Sequence, residues 1–215
     1  MEQTVEQYTN KESKQRIRTR TIEKQILLVS TLESNTTQYQ RLTVDSVMIN
    51  VDVEYLGSRP SLSGSALRCP YELWCYHFHW GTQNDNGSEH RIMQQGFPME
   101  IHLLFYNICY KSTEEAMKAK DGLLVLVYMC MLVSDDNKTL NIITNKIKKI
   151  NQPGQSVEIN SFPLSDLFDN NFQKYLMYWG SKENDPSNPA LWLISSKPVH
   201  ISEKQVRKVL KLLKN

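Results

Sequence analysis

The chain lacks the marks of several protein classes. It has no run of 18 apolar residues, which excludes a membrane-spanning helix. Its opening stretch, Met1 to Tyr8, carries no apolar leader core, so no signal peptide is expected. Neither sign of charge is in excess: 25 basic and 23 acidic residues leave a net +2, which singles out no charged partner. Cysteine is scarce, with four in 215 residues. Cys69, Cys75, Cys109 and Cys130 lie in or beside apolar runs without CxxC spacing. They read as buried free thiols of a reducing compartment, so a cytoplasmic location is expected. There is no HExxH pattern, no internal repeat and no low-complexity segment.

What is present is enough apolar residue to build a core, 40% against 22% charged, in one extended region. Residues 1–24 are polar and charged and read as a solvated helix or a disordered arm. Their basic stretch Lys14–Arg20 has no interleaved aromatics, so no nucleic-acid site is expected. The domain is expected over residues 25–215. Ile49, Val51, Val53 and Tyr55 alternate as on a half-buried strand. Residues 57–66 read as a loop, and residues 71–80, 99–106, 123–133, 175–179 and 191–195 as strands. Leu140, Ile143, Ile147 and Ile150 recur at helical spacing. Ser202-Glu203-Lys204-Gln205 is a capping box opening a final helix with the stripe Val206, Val209, Leu210 and Leu213. The fold class expected is α+β, mainly β: one large, twisted, mostly antiparallel sheet with short peripheral helices. Sequons occur at Asn35, Asn86 and Asn137 and matter only in a secreted protein.

Of five histidines, three fall in two strand-like runs: His77 and His79 in one, His102 in the other. Residues two apart on a strand share a face. If the two strands pair, three imidazoles converge, and three neutral nitrogens around an open position form the ligand set of a catalytic zinc site. Glu100 shares a face with His102 and can fix its tautomer.

The segments Tyr76-His-Phe-His-Trp-Gly81, Asn86-Gly-Ser-Glu-His90 and Glu100-Ile-His-Leu103 resemble the motifs H-F-H-W-G, G-S-E-H and E-L-H-L of the α-class carbonic anhydrases. Asn50-Val-Asp52, Asp121 to Leu126, Tyr178-Trp179 and Pro198 to Gln205 are similar to further segments of that family. The resemblance implies a Zn2+ ion on His77, His79 and His102 with Glu100 behind His102. It implies a lyase of one-carbon chemistry, in which zinc-bound hydroxide reversibly hydrates carbon dioxide to bicarbonate. By the same resemblance Glu89 orients a gatekeeper hydroxyl, and Leu104 and Val125 line the carbon dioxide pocket. Small-molecule substrate, no membrane and a monomer are the expected partnerships.

The chain also departs from the family pattern. The gatekeeper interval, residues 180–191, is short, and the gatekeeper position falls on Glu183 or on Ser187. Losing that positioned hydroxyl costs ~10²-fold in rate. The proton-shuttle histidine falls near Val47, and the glutamine supporting the first ligand falls at Cys75, a weak acceptor. Both ends are expected to be shorter than the family's. Slow catalysis is therefore expected, the alternative being a catalytically weak or inactive zinc-binding or interaction module of the same family.

Overall fold

A computed structural model describes residues 4–10, 13–18, 20–22, 26–29, 37–44, 49–55, 59–64, 67–150, 154–168, 175–182 and 185–210. The strands are Thr4–Asn10 (β1), Ser13–Arg18 (β2), Arg20–Ile22 (β3), Ile26–Val29 (β4), Thr37–Val44 (β5), Ile49–Tyr55 (β6), Ser61–Gly64 (β7) and Tyr71–Trp80 (β8). They continue with His90–Ile92 (β9), Met99–Asn107 (β10), Leu123–Val133 (β11), Ser156–Ile159 (β12), Tyr175–Lys182 (β13), Asp185–Ser195 (β14) and Val199–Ser202 (β15). Among the described residues, three α-helices, Thr113–Lys118 (α1), Lys138–Lys146 (α2) and Glu203–Leu210 (α3), lie between or after them.

The large sheet runs β12-β5-β6-β8-β10-β11-β14-β13-β3, with β7 beside β8, β4 beside β7 and β15 beside β11. Its pairings are antiparallel except those of β11 with β14 and with β15. The expected mainly-β, mostly antiparallel architecture is what forms. The central strands are buried on both faces. Along β10, Met99, Ile101, Leu103 and Phe105 enter the main core, while Glu100, His102 and Leu104 point to the opposite face. On β11, Leu124, Leu126, Tyr128 and Cys130 join the main core, and Leu123, Val125, Val127 and Met129 a second apolar cluster on the other side. The main core is closed by Leu140, Ile143 and Ile147 of α2 and its extension and by Val206 and Val209 of α3.

Strand β8 needs one irregularity to put its histidines on the second face. Tyr71 and Leu73 point to the main core at odd positions, Tyr76 and Phe78 at even ones. The pairing with β10 shifts register here: Phe105 faces Leu73 and Leu104 faces Cys75, so Trp74 is the extra residue of a bulge. Beyond it, Cys75, His77 and His79 turn away from the main core.

Several sequence-based expectations are corrected. Residues 4–10, 13–18 and 20–22 form strands, not a solvated helix or disordered arm. β1 pairs with β2 and with the distant β9, a partnership no local pattern in the sequence announces. Within the stretch read as a loop, Ser61–Gly64 is a strand held between β4 and β8. Cys69 and Cys109 are joined in a disulfide, not free. The antiparallel pairing of Tyr71 with Asn107 brings the two flanking segments together and sets their Cα atoms 6.3 Å apart. Cys75 and Cys130 remain as thiols. The gatekeeper interval is mostly the end of a β-hairpin: Ser181 pairs with Pro189, and Lys182 with Asp185. Glu183 lies outside the described residues, as does the side chain of Ser187, whose backbone belongs to β14. Val47 and Leu213 also lie outside.

Candidate metal centre

The register of β8 on β10 builds the site. His102 sits opposite His77, and Glu100 opposite His79. The three imidazole rings gather with centroids 4.8, 5.0 and 4.5 Å apart. His102 Nδ1 lies 3.1 Å from His77 Nε2 and 3.2 Å from His79 Nε2. His77 and His102 are buried, and His79 is partly so.

Behind His102 stands Glu100, with no exposed surface. Its Oε1 is 2.5 Å from His102 Nε2 and 2.5 Å from His90 Nδ1, and its Oε2 accepts from the His90 backbone N–H at 2.8 Å. A carboxylate held by both rings requires each to present an N–H there. His102 is then protonated at Nε2 and its Nδ1 carries a lone pair toward His77 and His79. His90 keeps a bare Nε2, which accepts from the Tyr178 hydroxyl at 2.5 Å. Burial pulls the Glu100 carboxyl upward, but the His90 and His102 rings outweigh it and hold the group well below the usual carboxylate range. Burial, then Glu100 and Glu89, raise Tyr178 well above an ordinary phenol, so it stays a donor. Burial, then His102, push His79 down to about 3, which keeps its ring neutral and able to ligate. Glu89 Oε1 faces His79 Nδ1 at 3.3 Å.

The apolar surroundings come from the second cluster. Leu104 and Val125 are buried and pair directly across β10 and β11. Trp192 packs edge-on against His102, with centroids 5.2 Å apart, and stacks on Tyr178 at 5.8 Å and 8°. Cys75 packs partly buried against the same cluster, on the β8 face that His77 shares. His90, Tyr178 and Trp192 were assigned no role by the sequence. His90 stood inside the quoted Ser88-Glu89-His90 motif and Tyr178 inside Tyr178-Trp179, so signals existed. What was hidden is that β11 joins β14 and β13 to β10 in one sheet, which brings Trp192 and Tyr178 to His102 and His90.

Among the described residues, two clusters have metal-ligand geometry, His77/His79/His102 and His90/Glu100/His102. The second is consumed by its own hydrogen bonds. In the first, a zinc ion with Zn–N bonds of ~2.0–2.1 Å needs nitrogens about 3.3 Å apart for tetrahedral coordination. The contacts of 3.1 and 3.2 Å meet that need, and the His102 tautomer points a lone pair at the centre. The residues fit zinc.

A three-histidine cage on the face of a broad sheet, with a carboxylate behind one ligand, defines a class of metal-site proteins. A family model described as eukaryotic-type carbonic anhydrase matches residues 9–215. Carbonic anhydrase 7 of Homo sapiens is 32% identical over 174 residues, 80% of this chain and 65% of that protein. Carbonic anhydrase 3 of Homo sapiens is 31% identical over 156 residues, 72% of this chain and 59% of that protein. Carbonic anhydrase 15 of Mus musculus is 32% identical over 152 residues, 68% of this chain and 47% of that protein. The chain belongs to the eukaryotic-type carbonic anhydrase family. Its matched region spans less than two thirds of the length of each of these relatives. No helix among the described residues is long and apolar enough to cross a membrane.

Proposed function

We propose that this chain is a zinc-dependent carbonic anhydrase, a lyase that reversibly hydrates carbon dioxide to bicarbonate. The observation that carries the reading is the convergence of three imidazoles, with His102 Nδ1 3.1 Å from His77 Nε2 and 3.2 Å from His79 Nε2, and with Glu100 fixing the tautomer of His102. His77 and His79 would hold the ion through Nε2 and His102 through Nδ1. Bound there, zinc supplies Lewis acidity that brings the pKa of water toward ~7. Glu100 keeps His102 oriented and basic. Glu89 orients groups at the reacting position and steadies His79. Leu104 and Val125 offer an apolar wall to carbon dioxide and exclude competing water. Cys75, beside His77, is a weak substitute for a hydrogen-bonding support. The cytoplasmic expectation loses its support from free thiols, because a disulfide suits an oxidising compartment.

A second reading, zinc binding with little catalysis, is favoured by the short interval 180–191, in which the family resemblance offers only Glu183 or Ser187 for the gatekeeper. One measurement separates the two: carbon dioxide hydration on protein of known zinc content, beside His102→Ala. Hydration that scales with zinc and vanishes in His102→Ala is the expected result. Zinc near one per chain without hydration above the variant favours the second reading. Failure to retain zinc sinks both.

A further inference from the structure

Two features stand apart from the metal chemistry: a disulfide between Cys69 and Cys109, and a sequon on the turn after β8. Disulfides form and persist where thiols are oxidised, which is also where asparagine is glycosylated. The two features are independent in sequence and in place, and they point to one route of maturation. We infer that the domain matures in an oxidising secretory compartment and carries an N-glycan on Asn86, but not on Asn137.

The turns around the two asparagines decide between them. Asn86 is exposed, on a loop whose backbone is tied down at Gly87 and Ser88, both of which donate to Phe97 O, at 2.9 and 3.0 Å. Its Oδ1 accepts from Gln83 N–H at 2.9 Å, a bond that survives glycosylation because the amide oxygen is untouched. Its Nδ2 reaches only Thr82 Oγ1, at 3.4 Å, a contact at the limit of hydrogen bonding. Attachment at Nδ2 therefore costs the fold little. Asn137 is different. It caps α2 through Oδ1, which accepts from Thr139 and Leu140 N–H at 3.0 and 3.1 Å, and its Nδ2 donates to His200 O at 3.0 Å. A sugar on that nitrogen takes one of its two hydrogens and has to fit beside the link to β15. Asn35 lies outside the described residues.

Both steps balance. The two thiols lose two protons and two electrons to a disulfide-exchange oxidant, which leaves as a dithiol. The glycan comes from a polyprenyl-diphosphate oligosaccharide: its anomeric C–O bond breaks, a bond to Nδ2 forms, Nδ2 loses a proton and the lipid diphosphate departs.

The test is site-by-site peptide mapping of the full 215-residue chain secreted from insect cells behind a cleavable leader, with thiols alkylated before any reduction. The expected result is a Cys69–Cys109 cross-linked peptide, sugar on Asn86 and none on Asn137. Asn86→Asp keeps the oxygen that Gln83 uses, and it should abolish the mobility shift that glycosidase treatment produces at this site. Unmodified Asn86, sugar on Asn137, or alkylated Cys69 and Cys109 in the secreted protein would each overturn the inference.

Discussion

Glu100 accepts from two imidazoles and one backbone N–H while fully buried. Its negative charge is tolerated there because each oxygen has a donor. Glu100→Gln offers an amide N–H where a ring N–H must donate, and so favours the wrong tautomer of His102. Zinc affinity is expected to fall ~10–100-fold, read by competition with a chromophoric chelator. An unchanged affinity would show that the carboxylate does not set the ligand. The meeting of the three histidines was legible in the sequence, because strand alternation puts His77 beside His79 and a single pairing adds His102. The links that hold them were not. That Glu100 serves His90 as well as His102, and that Tyr178 closes the chain 88 residues away, depends on tertiary placement that no spacing encodes.

At the level of elements, the last helix shows how a local signal gains a long-range duty. Ser202 Oγ accepts from Gln205 N–H at 3.1 Å, and Gln205 Oε1 from Ser202 N–H at 3.2 Å, the capping box read from the sequence. The same side chain also accepts from Asn137 N–H at 2.9 Å and donates to Asn137 O at 2.7 Å, tying the start of α2 to the start of α3. Gln205→Ala would leave the Ser202 and Asn137 N–H groups without this acceptor and should cost about 2 kcal/mol, measured as a lower urea midpoint. A loss of only a few tenths would mean that water replaces the glutamine. The helix stripe and the box were readable from periodicity and residue type. β1 beside β9, β7 beside β8 and the hairpin of β13 and β14 were not; in the hairpin, Pro186 and Pro189 argue locally against a strand.

For the whole molecule, acid and reductant act on different supports. His79 titrates at about 3 when folded, against an ordinary 6.5, and Glu100 lies well below its ordinary 4.5. Below these ordinary values the unfolded chain takes up protons that the folded chain refuses, so stability is full above pH 6.5 and drains as pH falls toward 3. The urea midpoint of zinc-free protein should therefore drop between pH 7 and 4, whereas a flat or rising midpoint would contradict the burial of these groups. Reductant acts on the unfolded chain. The Cys69–Cys109 bond has a sequence separation of 40, and in the chain-entropy picture opening it costs about 4 kcal/mol. Unfolding with and without dithiothreitol at pH 8 measures this, and a Cys69→Ser/Cys109→Ser variant should match the reduced protein.

The same bond has a topological consequence. His77, His79, Glu89, His90, Glu100 and His102 all lie between the two linked cysteines, so the entire proposed cage belongs to one covalent ring. The tip of that ring is the turn at Met93 and Gln94, where both residues have positive φ and Met93 is 73% exposed. A protease that nicks the chain there separates His102 from His77 and His79 in sequence without releasing either piece. The severed halves stay paired as β8 and β10 and tethered at their far ends, and the metal would see the same three nitrogens before and after the cut.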